Sequence, residues 1–212
     1  MIQLLIVGDA DGSLGTREGR DAMTLSQLAA LGVAAGELGR RCVCGSTDHG
    51  APSAASDPSI GISRSRGGGW HAFAVSTASP VLGVDIEPAS RAPQALRAAP
   101  RFVCAGDGSP SGDAGAALRA FMRKEAILKA RGTGFHVDPH DQATSAVAVG
   151  PRWCRTQDGW WLHEREISDL LVCIAVDTPQ PIDLMLEPGF DPARGARRAP
   201  HSPLLAAARQ AP

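Results

Sequence analysis

The sequence predicts a mixed α+β (α/β) fold of two lobes, each a helix with a small, mostly antiparallel sheet. The first support is a recurrence: a helix pattern followed by strand patterns appears in each half of the chain. The second is material. The chain has 212 residues, more than one minimal core needs, and its 43% hydrophobic against 20% charged residues can offset ordering entropy over most of the length. The expected boundaries are a first lobe over 1–90, a second over 91–186 and a disordered tail over 187–212.

Gln3 to Val7 reads as a buried strand, and after a Gly/Asp turn an Ala/Leu-rich helix is expected from about Arg17 to Leu38. Cys42 to Ser59 is loop-like. Trp70 to Ser76 and Val81 to Glu87 are apolar runs joined by Thr77-Ala78-Ser79-Pro80, which predicts a hairpin. Pro88 to about Asp113, rich in Ala, Pro, Arg and Gly with weak helical stretches, reads as the crossing between halves. Asp113 can cap a helix running to about Arg131, with Gly132 placed to end it in a left-handed conformation. Ser145 to Val149, Trp160 to Glu166, Leu170 to Asp177 and Ile182 to Leu186 read as strands. From about Glu187 the composition offers no periodic apolar face, which predicts disorder.

The formal net charge of -1 gives no global attraction for nucleic acid or anionic lipid. No stretch approaches the roughly 20 apolar residues of a membrane helix, and the opening Met1 to Val7 lacks the basic region and cleavage site of a secretion signal, so a cytoplasmic protein is expected; a monomer is expected as well. Five cysteines then read as reduced thiols rather than a disulfide framework. Lysine stands only at 124 and 129 among 21 basic residues, which keeps the compact ammonium in one segment, where phosphate contact or proton transfer could require it.

Along Val81-Leu82-Gly83-Val84-Asp85-Ile86-Glu87 the period of two puts Leu82, Val84 and Ile86 on one face and Gly83, Asp85 and Glu87 on the other. The two acids sit roughly 6.6 Å apart at their α-carbons, a spacing that favours a shared cation such as Mg²⁺ but also occurs on a solvated outer strand face. On the following helix, Leu118, Phe121, Met122 and Leu128 form an apolar stripe with Glu125 at its centre. Lys129, four residues on, makes either a helical salt bridge with Glu125 or a phosphate contact beside it.

Gly83-Val84-Asp85-Ile86-Glu87, followed by Phe121-Met122-Arg123-Lys124-Glu125-Ala126-Ile127-Leu128-Lys129, resembles the two signature motifs of the 4′-phosphopantetheinyl transferases. Length and apparent doubling are similar to the larger, pseudo-dimeric type that activates peptide and polyketide synthases. The resemblance extends through Cys44-Gly45, His49-Gly50, Pro52, Ile62-Ser63-Arg64-Ser65 and Trp70 to Val75, and ends near Asp177. It implies two similar α/β lobes related by pseudo-twofold symmetry with a coenzyme A cleft between them, and transfer of phosphopantetheine to a serine of an apo carrier protein (acyl, peptidyl or polyketide synthase), releasing 3′,5′-ADP. By the same resemblance Asp85, Glu87 and Glu125 hold Mg²⁺, Glu125 also serves as base, and Lys129 contacts phosphate and assists the leaving group. Thr24, His49, Gly50, Ser63, Arg64 and Lys124 are the further coenzyme A contacts it implies. Arg64 stands where the family commonly has histidine and Ala51 where many members have lysine. Apart from Arg17 and Arg20, the N-terminal segment lacks the usual basic residues. Those departures leave open a non-catalytic carrier-protein or coenzyme A binder on the same fold.

Cys42, Cys44 and His49 suggest zinc, but their spacing misses the usual gap and no fourth ligand is evident nearby, which favours a plain loop. Gly8-Asp9-Ala10-Asp11-Gly12 reads as a turn, since the remaining ligand positions of a calcium loop are absent. Arg66 with Gly67-Gly68-Gly69 is either a phosphate approach or a hairpin entry. Trp153, Trp160 and Trp161 read as packing, and His71, His136, His140, His163 and His201 show no metal spacing.

Overall fold

The computed structural model describes residues 1–9, 11–107, 112–149, 152–188 and 190–191. Its strands are β1 (Ile2–Gly8), β2 (Leu38–Arg41), β3 (Ala51–Ala54), β4 (Gly61–Gly67), β5 (Trp70–Ser76), β6 (Leu82–Pro88), β7 (Ala146–Val149), β8 (Trp153–Thr156), β9 (Trp161–Ile167), β10 (Leu170–Val176) and β11 (Ile182–Leu186). The helices longer than one turn are α1 (Arg17–Ala30), α2 (Ala92–Ala98) and α3 (Ala114–Arg131). The fold is α+β. None of the described helices is long and apolar enough to cross a membrane.

Two sheets form the body, one ordered β11-β1-β5-β4 and the other β6-β10-β9-β8-β7, with β2 and β3 as a separate ribbon. Every pairing is antiparallel except β1 with β11. Ile2, Leu4, Ile6, Trp70, Ala72 and Ala74 from the first sheet pack against Leu82, Val84, Ile86, Leu170, Val172, Ile174 and Val176 from the second. Period-two alternation explains this, since those residues share one face of each strand. The outer face of the first sheet is covered by α1 through Leu28 and Val75. That of the second is covered by α2 and α3, through Ala95, Ala98, Leu118, Phe121, Met122 and Ile127. The layers therefore run α, β, β, α.

The expected hairpin of Trp70 to Ser76 with Val81 to Glu87 does not form. β5 pairs with β1 and β4, whereas β6 opens the second sheet beside β10. The hairpin is β4 with β5, turning at Gly68 (φ 61°) and Gly69 (φ 84°). β6 and β11 thus cross the expected boundary at residue 90, each lying in the sheet of the other half. The first helix ends at Ala30 rather than Leu38, and part of the expected loop from Cys42 to Ser59 is strand β3. Most of the expected tail lies outside the described residues. At its start, however, Glu187 N–H donates to Ile6 O (3.1 Å), and the Phe190 ring packs on Trp70 with centroids 4.7 Å apart and planes tilted by 45°.

Candidate active site

β6 and α3 bring the acidic residues together. Asp113 caps α3, accepting from the N–H groups of Gly115 and Ala116, and Gly132 ends it at φ 70°, both as expected from the sequence. Between those stops α3 lies tightly on β6. A Cβ on Gly83 would stand 1.8 Å from Ala126 O, so only glycine permits this approach. The contact sets Glu125 and Lys129, which flank Ala126 and Ala130, beside Asp85 and Glu87.

All three carboxylates are buried, Asp85 at 4%, Glu87 at 3% and Glu125 at 8% exposure. The cation among them is Lys129. Its Nζ donates to Asp85 Oδ1 (2.8 Å), Ser65 Oγ (2.9 Å) and Val84 O (3.1 Å), and lies 3.9 Å from Glu125 Oε2. Ser65 in turn donates to Asp85 Oδ1 at 2.6 Å. Asp85 Oδ2 and Glu87 Oε2 remain buried without a hydrogen-bond partner among the described residues. Arg91 Nε approaches Glu87 Oε2 only to 3.5 Å. Orphaned carboxylate oxygens in a dry site are costly, which marks the cluster as short of positive charge.

The electrostatics follow from that shortage. Burial, reinforced by the Asp85 charge, pushes the Glu87 carboxyl up to about 8, against the opposing pull of Arg91 and Lys129. Burial likewise pushes Glu125 up to about 7, with Lys129 pulling down and Asp85 pushing further up. Lys129 loses solvation, yet the Asp85 and Glu125 carboxylates outweigh that and hold its ammonium above the ordinary lysine value. A hard divalent ion fits this donor set, because carboxylate oxygens are its preferred ligands and two of them lack partners. The three acids do not, however, offer oxygens that all lie within 4.8 Å of one another.

Beside Lys129 opens a cavity of about 330 Å³, lined among others by His49, Gly50, Ala51, Ser63, Arg64 and Gly132. His49, Gly50, Ser63 and Arg64 therefore share one cleft with Lys129. Ser63 is used structurally, its Oγ accepting from Val84 N–H (2.9 Å) to tie β4 to β6. Arg64 Nη2 donates to Asp21 Oδ1 (2.7 Å), while its Nη1 is buried without a hydrogen-bond partner among the described residues. Arg40 binds the same carboxylate at 2.6 and 2.7 Å, and together with Arg64 holds Asp21 below the usual carboxylate range despite its burial. Arg20 and Arg66 add their charges nearby.

Two expected contacts are not placed for phosphate. Thr24 is fully buried, with its hydroxyl donating to Arg20 O (2.9 Å) one turn earlier. Lys124 is 2% exposed and makes an ion pair with Asp107 Oδ2 (2.8 Å), besides donating to Pro139 O (2.9 Å) and Gln142 O. It pins the 104–107 and 139–142 turns to α3 and is structural. Ser65 and Arg91 are the acidic cluster's neighbours that residue-type reasoning passed over, although Ser65 shares the strand face of Ser63.

The Cys42 to His49 segment is more than a plain loop. Cys42, Cys44 and His49 offer donor atoms that all lie within 4.8 Å of one another, with Cys44 Sγ 3.4 Å from His49 Nε2. His136, expected to have no role, brings its Nε2 to 3.7 Å from Cys42 Sγ. No protein-family model matches this chain, and a search of curated proteins finds no match either.

Proposed function

We propose that the protein is a Mg²⁺-dependent 4′-phosphopantetheinyl transferase (holo-[acyl-carrier-protein] synthase), moving phosphopantetheine from coenzyme A to a serine of an apo carrier protein. The observation that carries the reading is the set of buried carboxylates Asp85, Glu87 and Glu125 around the partly exposed Lys129, set on β6 and α3 at the edge of a cleft lined by Arg64. The helix-on-sheet unit that occurs once on each outer face supports the pseudo-dimeric form of that fold.

Asp85, Glu87 and Glu125 would hold the ion, which when bound supplies neutralising charge to the pyrophosphate. The protein's own groups do the rest. Lys129 meets phosphate at the lip of the cleft, and Arg64 Nη1 offers an unused donor on the same wall. Glu125, beside Lys129 and Asp85, is the group that would accept the serine proton. The serine oxygen bonds to the phosphorus nearer the pantetheine as the bond from that phosphorus to the 3′,5′-ADP oxygen breaks. Catalysis here is positioning and charge placement.

A second reading, a binder of coenzyme A or carrier protein without transfer, draws on Ala51 in the cleft wall and on the engagement of Lys124 and Thr24 elsewhere. One assay separates the two. An apo carrier protein incubated with coenzyme A, Mg²⁺ and this protein should gain the mass of phosphopantetheine, and Asp85→Ala or Glu125→Ala should abolish the gain while circular dichroism stays unchanged. Coenzyme A binding without any mass gain across acyl and peptidyl carrier proteins would select the binder.

A further inference from the structure

We propose that Cys42, Cys44, His49 and His136 form a closed, tetrahedral zinc site that clasps the β2–β3 connection to the segment following α3. The proposal is independent of the carboxylate cluster and of the transfer reaction.

The geometry carries it. In a tetrahedral complex with Zn–S of about 2.3 Å and Zn–N of about 2.0–2.1 Å, a sulfur and a nitrogen ligand are separated by about 3.5 Å. The two sulfur–nitrogen pairs here measure 3.4 Å (Cys44 with His49 Nε2) and 3.7 Å (Cys42 with His136 Nε2). Cys42, Cys44 and His49 already lie mutually within 4.8 Å, and His136 is exposed, so rotation of its side chain closes the set. Both histidines turn Nε2 towards sulfur.

The local chain is shaped for thiolate ligands. Gly45 N–H donates to Cys42 O (2.9 Å), which folds Cys42 to Gly45 into a turn with Gly45 at φ 82°. Arg17 Nη1 holds Asp48 O (3.2 Å), anchoring the connection to α1. Two thiolates and two neutral imidazoles neutralise a divalent ion, and such soft donors select zinc over the magnesium that suits carboxylates. Four protein ligands leave no open position, so the role is structural. Cys42, His49 and His136 also line the cavity beside Lys129, so the clasp would fix the rim of the cleft.

The test uses the full-length protein, reduced and stripped by chelator, titrated with Co²⁺ and then Zn²⁺. One Co²⁺ per chain should bind with the intense d–d bands of a tetrahedral site and a thiolate-to-cobalt charge-transfer band, and Zn²⁺ should displace it one to one. Cys44→Ser should reduce the charge-transfer band and weaken binding at least tenfold. His136→Ala should weaken it at least tenfold while keeping both thiolates, and His136→Cys should restore tetrahedral binding with a stronger charge-transfer band. Because all four positions lie outside the α-helices and strands, circular dichroism of each variant should match the parent. Weak octahedral cobalt bands only, or equal affinities for the parent and both Cys44→Ser and His136→Ala, would overturn the site.

Discussion

Raising the pH of the protein in chelator should destabilise it across pH 7 to 8.5, and the acidic cluster sets the size of the effect. Glu87 and Glu125 have folded carboxyls raised to about 8 and about 7, against ordinary unfolded values near 4.5. Between those limits the folded state binds more protons than the unfolded chain, so stability is present at lower pH and is lost as pH rises through the folded values. Together the two acids lose roughly 1–2 kcal/mol between pH 7 and 8.5, most of it from Glu87, whose folded value lies inside that window. For a chain of this size that is a fall of roughly 3–6 °C in Tm. His71 and His163, whose burial holds them below the ordinary histidine value, lose stability only as pH falls, so they do not contribute in this window. Scanning calorimetry at constant ionic strength in chelator measures the slope, and Glu87→Gln should remove most of it. Mg²⁺ should raise Tm most at the higher pH, because both acids must be deprotonated to take up the ion. A Tm that is flat or rising in chelator, or a Glu87→Gln variant with the parental slope, would refute the assignment of buried, protonated acids.

Gly83→Ala should cost at least about 2 kcal/mol, because the methyl cannot fit 1.8 Å from Ala126 O without moving α3 off β6; chemical denaturation measures it. Lys124→Met should destabilise by about 3–5 kcal/mol by stranding Asp107, yet leave KM for coenzyme A unchanged in whatever folded fraction remains. Arg64→Ala should raise that KM several-fold and spare kcat, as loss of a contact made equally before and during reaction does; an unchanged KM would place the phosphate contact elsewhere.

Local signals were the most legible. The Asp113 and Gly132 stops fixed α3 because caps are written in neighbouring residues. Period two placed Asp85 and Glu87 correctly opposite Leu82, Val84 and Ile86. Strand partners were not legible, since β5 and β6 are buried along their whole length and a continuous apolar run does not say which strand it will meet. Two misplacements had a readable warning. Thr24 falls on the buried stripe of α1 with Gln27 and Leu28, at the spacing of an inward face. Lys124 and Glu125 are consecutive in a helix, so their side chains diverge by about 100° and could not both face one cleft. His136 had no warning at all, being brought to Cys42 only by the tertiary fold.

The exchange of β6 and β11 between the sheets governs the order in which the protein can be built. During synthesis β6 emerges with its carboxylates long before β10 exists to pair with it, and β1 keeps an open edge until Ile182–Leu186 follow. Contacts so far apart in sequence slow folding and leave unpaired edges exposed to other chains meanwhile. A chain stopped before β10 would carry Asp85 and Glu87 on an unpaired strand, and one stopped before β11 would leave the first sheet a strand short. The pairing of β1 with β11 is thus the closing seam of the first sheet, and that of β6 with β10 joins the two halves of the chain.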